Sequence, residues 1–506
     1  MNEEPKSIWT KSWTGPAGLF LWFLLLAGAS FLLAFAIGSA CRMEPVKDLV
    51  IIALVSALGF ALVGVVAILF IRWLCCWRNL RRFLFGLACF ATLVALFYAE
   101  EDWRGWHAWQ KFKREWEAKG ERFDPASVIP PAVPDDQNFA LTPVVASSYA
   151  EVLDKNGHAL GLRNTNVVNR LKISVDYKDG GPTNGTGNWQ KARESNLKAW
   201  QDYYRALAAT TNVFPVAPQP QTPAADVLLA LSKYDSVIEE LREAGRLPYS
   251  RFPLEYDKEN PAALLLPHLA SLKGCAQVLR LRAIAELQNG QSDKALEDVK
   301  LALRLADSVR TEPILISHLV RIAVLNLTLQ PVWEGLARHQ WSDAQLAELD
   351  RELAGLDFLS DYKLAMRGEM VLCQGRIFDY LRHHPEQLPN LSGESDTASP
   401  APALVLSRLI PSGWFYQNQL HCARPMVELY LPVADVNQGI ISPTAVPRAD
   451  ARRPCSEARL SALGWQELWP TLLHISALKT SSSGRHKAAD SKWLSNMPVG
   501  SLVSAR

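Results

Sequence analysis

Charge is missing from three long stretches near the start of this 506-residue chain. Ala17–Ala40, Leu49–Ile71 and Phe83–Ala99 hold no Asp, Glu, Lys, Arg or His. The first two exceed the ~20 residues that a helix needs to cross a hydrocarbon layer of ~30 Å. The third, with 17 residues, sits at the short end of the range. Three such runs in succession describe a membrane anchor, and the lack of ionisable side chains within them argues against the ion or proton relay of a pump.

Acidic residues are missing from Arg72–Arg82, which reads RWLCCWRNLRR and carries four arginines. Short basic loops stay in the cytoplasm, so this loop and the N-terminus are expected inside and everything after Ala99 outside, at the inner (cytoplasmic) membrane. Trp73 and Trp77 at one end and Trp103, Trp106 and Trp109 at the other suit the headgroup layers. The first run is too long for a cleaved signal peptide. Gly38-Ser39-Ala40-Cys41 looks like a lipoprotein cleavage site except for its glycine, and uncleaved anchoring is the favoured reading.

Catalytic signatures are missing too. The sequence has no HExxH, GxSxG, Walker motif, EF-hand loop or paired CxxC, which removes the usual footing for zincin, α/β-hydrolase, nucleotide, calcium and zinc-ribbon chemistry. No catalytic, cofactor-binding or metal-binding residue is therefore nominated. Cysteine is sparse: Cys41, Cys75, Cys76 and Cys89 lie in or beside the apolar runs, and Cys275, Cys373, Cys422 and Cys455 are scattered singly. Cys275 and Cys373 fall in apolar helical stripes and read as small buried residues. The pair Cys75-Cys76 invites acylation at a membrane face, though two plain interfacial cysteines are the simpler reading.

A basic excess is also missing from the part beyond the anchor. The first 99 residues hold eight of the 53 Lys+Arg and four of the 51 Asp+Glu, which leaves 45 and 47. That balance gives no nucleic-acid footprint.

What is present beyond residue 100 is mostly helical rhythm. Trp103–Lys119 carries an aromatic stripe, followed by the proline-rich spacer Pro125–Pro134. Leu171–Tyr177 alternates like a strand, and the glycine-rich loop Gly180–Gly187 lacks the lysine and spacing of a phosphate cradle. Asn184-Gly185-Thr186 matches a glycosylation acceptor, with nothing else pointing to such processing. Trp189–Leu207 returns to helical spacing. Thr222-Pro223 and Asn260-Pro261 read as cap-plus-proline helix starts, with a helix over Ala224–Ala244 and an aromatic connector at Leu247–Tyr256. Ser342 with Gln345 spells a capping box. His268 and His318 lie on apolar helices, His383-His384 at a helix end. Glu239-Glu240 project about 100° apart. Arg251, Tyr256 and Asp257 are candidate recognition residues with no ligand implied.

Residues 262–308 place Leu265, Leu269, Leu272, Ala276, Leu279, Ala283 and Leu287 on one helix, a turn at Gln288–Gln291, then Ser292 as cap and Ala295, Leu296, Val299, Ala302, Leu303 and Ala306 on the next. This arrangement resembles one tetratricopeptide unit. Later segments do not repeat it. Glu100–Trp106 (EEDWRGW), Ile129–Phe139 (IPPAVPDDQNF), Ser250–Phe252, Leu266–Ala270, Asp298–Leu305 and Pro331–Trp341 together resemble an uncharacterised family of large membrane-anchored bacterial proteins, which implies an architecture and no mechanism.

The expected fold is mainly α: three N-terminal transmembrane helices, then an irregular α-helical, solenoid-like extracytoplasmic domain. The expected divisions are a three-span anchor at 1–99, a juxtamembrane helix and spacer at 100–137, and a mixed region at 138–222. A tetratricopeptide-like domain follows at 223–385, a linker at 386–410, a docking segment and helix at 411–478, and a disordered tail at 479–506. The expected function is binding or scaffolding, with membrane lipid around the spans, a protein partner on the helical domain and no nucleic acid. The alternative is an envelope enzyme, hydrolase-like, with a site assembled from scattered residues.

Overall fold

The computed structural model describes residues 16–40, 46–149, 151–153, 159–162, 169–177, 180–256, 260–261, 264–388 and 407–441. The chain divides into two compact units, Met1–Glu100 and Glu101–Arg506. Three helices form the first: α1 (Pro16–Ala40), α2 (Val46–Leu74) and the beginning of α3 (Trp77–Ala118). Helices α1 and α2 pack on each other, and Ala53, Ala57 and Ala61, one turn apart, are the buried positions of α2 among the described residues. Small side chains at that spacing let two helix backbones approach where lipid supplies no hydrophobic drive. Leu25, Leu32, Leu54, Leu58, Phe85, Phe90 and Leu93 face outward, a surface that hydrocarbon satisfies and water does not.

The short third run is not a short helix. It continues without a break to Ala118, 42 residues in all, long enough for ~60 Å at 1.5 Å per residue. Length and apolarity also single out Leu315–Ala337 as long enough to cross a membrane. That helix, α9, instead buries Ser317, His318, Arg321, Thr328, Gln330 and Glu334 within the second unit. Polar groups so placed find partners in a folded body, not in lipid.

In the second unit the main helices are α4 (Leu197–Ala208), α5 (Pro223–Leu231), α6 (Asp235–Gly245), α7 (Pro267–Gln288), α8 (Ser292–Asp307), α9 and α10 (Asp343–Ala354). They are followed by α11 (Phe358–Gly368), α12 (Arg376–His383) and α13 (Ser412–Pro425). A wide π-type segment, Glu369–Gly375, joins α11 to α12. The only strands among the described residues are two small antiparallel pairs, β1 (Glu151–Leu153) with β2 (Ala159–Leu162) and β3 (Ala434–Asp435) with β4 (Ile440–Ile441). Helix α7 is central: it packs on α5, α8 and α9, and its buried residues point in all directions, from Leu269 and Leu272 to Ile284 and Leu287. A helix apolar all round belongs in the middle of a core.

Several local expectations meet their geometry. Thr222 caps α5 by accepting from the Ala225 N–H, and Ser342 and Gln345 form both bonds of the capping box at α10. Others need correction. The run Ala224–Ala244 is broken by a tight turn at Ser232–Tyr234. Helix α7 starts at Pro267 and not at Pro261. Ser292 is the first residue of α8, not its cap, and its hydroxyl accepts from Gln345 Nε2 at 3.2 Å. Cys41, Asp257, Cys455, Arg459–Leu478 and the tail lie outside the described residues, as does most of the 386–410 linker.

Leu171–Tyr177 runs irregularly, with a turn at Leu171 and a bend at Val175-Asp176, and pairs with no strand among the described residues. Leu171 and Ile173 are buried in the largest core cluster, and Val175 and Tyr177 lie against it, so the alternation is real. Tyrosines replace the missing neighbour. Tyr234 accepts from the Ser174 N–H (3.3 Å) and donates to its carbonyl (2.9 Å). Tyr203 accepts from the Tyr177 N–H at 2.8 Å, and Tyr204 donates to the Val175 carbonyl at 2.8 Å. Side chains on α4 and on the turn before α6 thus satisfy a backbone that would otherwise be costly to bury. The adjoining glycine-rich loop wraps Trp200, which is 2 % exposed and donates to the Gly185 carbonyl at 3.1 Å. A Cβ at Gly181 would stand 2.5 Å from the indole, so these glycines answer to packing.

The second unit is closed where α13 meets α3. Gly413 N donates to Asp102 Oδ1 at 2.6 Å, while Trp414 Nε1 (3.0 Å) and Gln417 Nε2 (3.2 Å) donate to Glu101 Oε2. The helices touch backbone to backbone: a Cβ at Gly413 would lie 1.9 Å from the Glu101 carbonyl oxygen, and one at Gly105 2.1 Å from that of Gly413. Gly413→Val should therefore cost about 1–3 kcal/mol by forced separation. Gly355→Ala, whose Cβ meets its nearest neighbour at an ordinary 3.5 Å, should shift stability by under about 0.5 kcal/mol. Thermal unfolding of both full-length variants in mild detergent checks the pair.

Candidate functional site

Chemistry-bearing side chains concentrate at the entry of α9. Glu312, three residues before the helix, is 5 % exposed. His268 Nε2, from the first turn of α7, lies 2.8 Å from Glu312 Oε1, and Ser317 Oγ donates to Glu312 Oε2. The His268 ring stacks on Phe252, with centroids 3.9 Å apart. A carboxylate at the start of a helix also gains from the aligned amide dipoles. Beyond it, burial pushes up the carboxyl of Glu369, against hydrogen bonds from Cys373 and the Leu315 amide. Burial likewise pushes up the Tyr256 hydroxyl, with Glu312 adding to the effect.

Ser, His and Glu together invite comparison with a hydrolase triad, and the order of contacts decides against it. In a triad the histidine stands between nucleophile and acid, so that it can take the hydroxyl proton. At Glu312 the acid stands in the middle and the serine bonds to the acid. The three groups satisfy one another and link α7 to the start of α9.

A second cluster ties α6, α7 and α8. Asp298, wholly buried, accepts from Arg242 Nη2 and from Arg282 Nε, the latter at 2.9 Å. Arg282 also reaches Asp235 and, at 3.5 Å, Glu286. Burial first, and the charge of Asp298 second, push the Glu286 carboxyl up to about 8. A third cluster joins Arg310 and Arg321 to Asp361 across α9 and α11. Burial, with Arg321 nearby, pulls His318 down to about 4.

Residues singled out in the sequence fall in separate places. Arg251 is held by Asn138, whose side chain accepts from the Arg251 N–H and donates to its carbonyl, both at 2.9 Å; its Nε reaches the Pro130 carbonyl at 3.1 Å. It pins the aromatic connector to the spacer. No hydrogen bond or ring contact joins His268 to His318 among the described residues; His318 instead faces Tyr362. His383 bonds the Asp379 carbonyl at 2.7 Å, and His384 packs on Tyr380. Glu239 pairs with Arg242 and Glu240 with Arg170. Glu312, Ser317, Asp298 and Glu286 carried no sequence signal beyond an acid at a helix entry and charges at i, i+4, because the clusters are completed from other helices, by His268 at Glu312 and by Arg242 and Arg282 at Asp298. Among the described residues no group of three His, Cys, Asp or Glu is arranged to hold a metal.

No family model, curated protein or solved structure matches the chain.

Two outcomes test this account. Glu312→Ala leaves His268 and Ser317 without their shared acceptor and should cost about 3 kcal/mol or more, seen as a lower Tm. Glu286 supplies a pH signature. Between pH 4.5 and 8 the unfolded chain releases this proton while the folded chain keeps it, so its contribution to stability falls as pH rises and levels off above 8. Glu286→Gln should flatten that slope, measured as Tm at pH 5 and pH 8 against the parent chain.

Proposed function

We propose that this is a membrane-anchored binding or scaffolding protein that displays an irregular, solenoid-like helical domain on the outer side of the cytoplasmic membrane. The observation that carries the reading is the joining of a strongly apolar helical anchor to a large second unit whose buried ionisable groups are drawn into internal pairs. Such a body suits the presentation of a surface, and its partner would be another protein or an envelope component. The orientation rests on charge: Arg72, Arg78, Arg81 and Arg82 lie between the second and third apolar runs, whereas Arg42 and Lys47 are the basic residues between the first and second.

The envelope-hydrolase alternative draws on Ser317, His268 and Glu312, and their order of contacts weighs against it. The orientation is tested by an alkaline phosphatase reporter, which is active only outside the cytoplasm. Fused after Gly120 it should be active, and fused after Asn79 silent. The opposite pattern overturns the display model. Binding is tested by crosslinking and pull-down from solubilised membranes, where a stoichiometric partner is expected.

A further inference from the structure

The turn between α2 and α3 carries a feature that neither anchoring nor display requires. Trp77, Arg78, Arg81, Arg82 and Phe85 line an open cleft of about 420 Å³ on the first two turns of α3. Arg78, Arg81, Arg82 and Phe85 follow i, i+3, i+4, i+7 and so share one helix face. Trp77 is 67 % and Phe85 73 % exposed. The Arg81 guanidinium sits 6.0 Å from the centre of the Trp77 ring. No ion pair joins any of these three arginines to an acid among the described residues, and the segment Arg72–Arg82 contains none.

The local frame is well held. Asn79 Nδ2 donates to the Trp73 carbonyl at 3.1 Å, the Asn79 and Leu80 amides bond the Cys76 carbonyl, and Phe83 meets Phe70 edge to face at 5.4 Å. Three cations are thus kept at the point where α3 becomes apolar, since Arg82 directly precedes the uncharged run Phe83–Ala99.

We infer that this cleft binds the phosphodiester headgroup of an anionic phospholipid. Arginine forks match phosphate oxygens, the amide dipoles at the start of α3 act in the same sense, and the indole belongs in the headgroup layer. The face points to a lipid over a free phosphate. Below Phe85 it continues through Ala88, Cys89 and Thr92, and Thr92 turns its hydroxyl back to the Ala88 carbonyl at 2.8 Å. These small side chains leave a shallow apolar track for an acyl chain.

The test uses delipidated full-length protein in mild detergent, titrated by native mass spectrometry with phosphatidylglycerol, phosphatidylcholine of the same chains, and inorganic phosphate. Phosphatidylglycerol should bind about tenfold more tightly than phosphatidylcholine. Arg78→Gln/Arg81→Gln should bring the two within about twofold, while Lys111→Gln/Lys113→Gln, an equal charge loss elsewhere on α3, should keep the preference. Equal binding of the two lipids by the parent chain overturns the proposal, as does an undiminished preference in the arginine variant. Phosphate binding as tight as that of phosphatidylglycerol overturns the lipid assignment. A phosphatidylglycerol with a photoreactive headgroup gives a readout free of any variant: label should fall within residues 77–85, and label confined to other peptides overturns the site.

Discussion

Two carboxylates at the end of the apolar part of α3 hold the second unit together. Glu101 and Asp102 receive the amide of Gly413 and the side chains of Trp414 and Gln417, more than three hundred residues later in the chain. Arg104 Nη2 donates to both carboxylate oxygens of Glu101, at 2.6 and 2.7 Å. Burial opposes the charge of Glu101, but the bonds from Arg104, Gln417 and Trp414 outweigh it and hold the carboxyl below its usual range. The glycine crossing makes these bonds reachable, because any side chain there would push α13 off. Once seated, α13 presents Phe415 to Ile377, Phe378 and Leu381, and the following Met426 and Val427 join Trp109 and Phe112. The part of α3 beyond Glu101 is therefore also a wall of the second unit's core.

Inside that domain, polar chemistry gathers around single carboxylates. Asp298 and Glu312 each take partners from two helices, and Asp361 takes Arg321 from α9 and Arg310 from the connector before it. A buried ion pair adds little net stability over an apolar contact of the same shape, yet breaking it is costly. Such hubs constrain which helices can be neighbours. They also turn reactive-looking side chains inward against each other.

Apolar length carries a different meaning in the two units. In α2 the large side chains face outward while Ala53, Ala57 and Ala61 are buried, and in the apolar run of α3 large and small side chains alike are exposed. In α9 an arginine, a glutamate and a histidine share a mostly apolar helix, and each meets a partner from the folded body: Asp361 for Arg321, the Ser195 amide for Glu334 and the Tyr362 ring for His318. Hydropathy alone treats the helices alike; the placement of ionisable groups separates them.

Some local patterns are legible in the chain, although the helix starts expected at Asn260-Pro261 and Ser292 are displaced. Uncharged runs mark membrane helices because hydrocarbon tolerates no unpaired charge. Thr222 and Ser342 announce helix starts because a cap needs only the next three residues. The alternation of Leu171–Tyr177 correctly names its buried face, but a strand needs a neighbour, and only the fold supplies Tyr203, Tyr204 and Tyr234 in that role. Likewise Glu312 meets His268 across 44 positions and Asp102 meets Gly413 across 311. No periodicity records such pairings, since they depend on how helices cross. The sequence by itself determined which faces are apolar and where the side-chain-capped helices α5 and α10 begin; tertiary structure decided which distant charges meet, because pairing energy depends on distance in space and not along the chain.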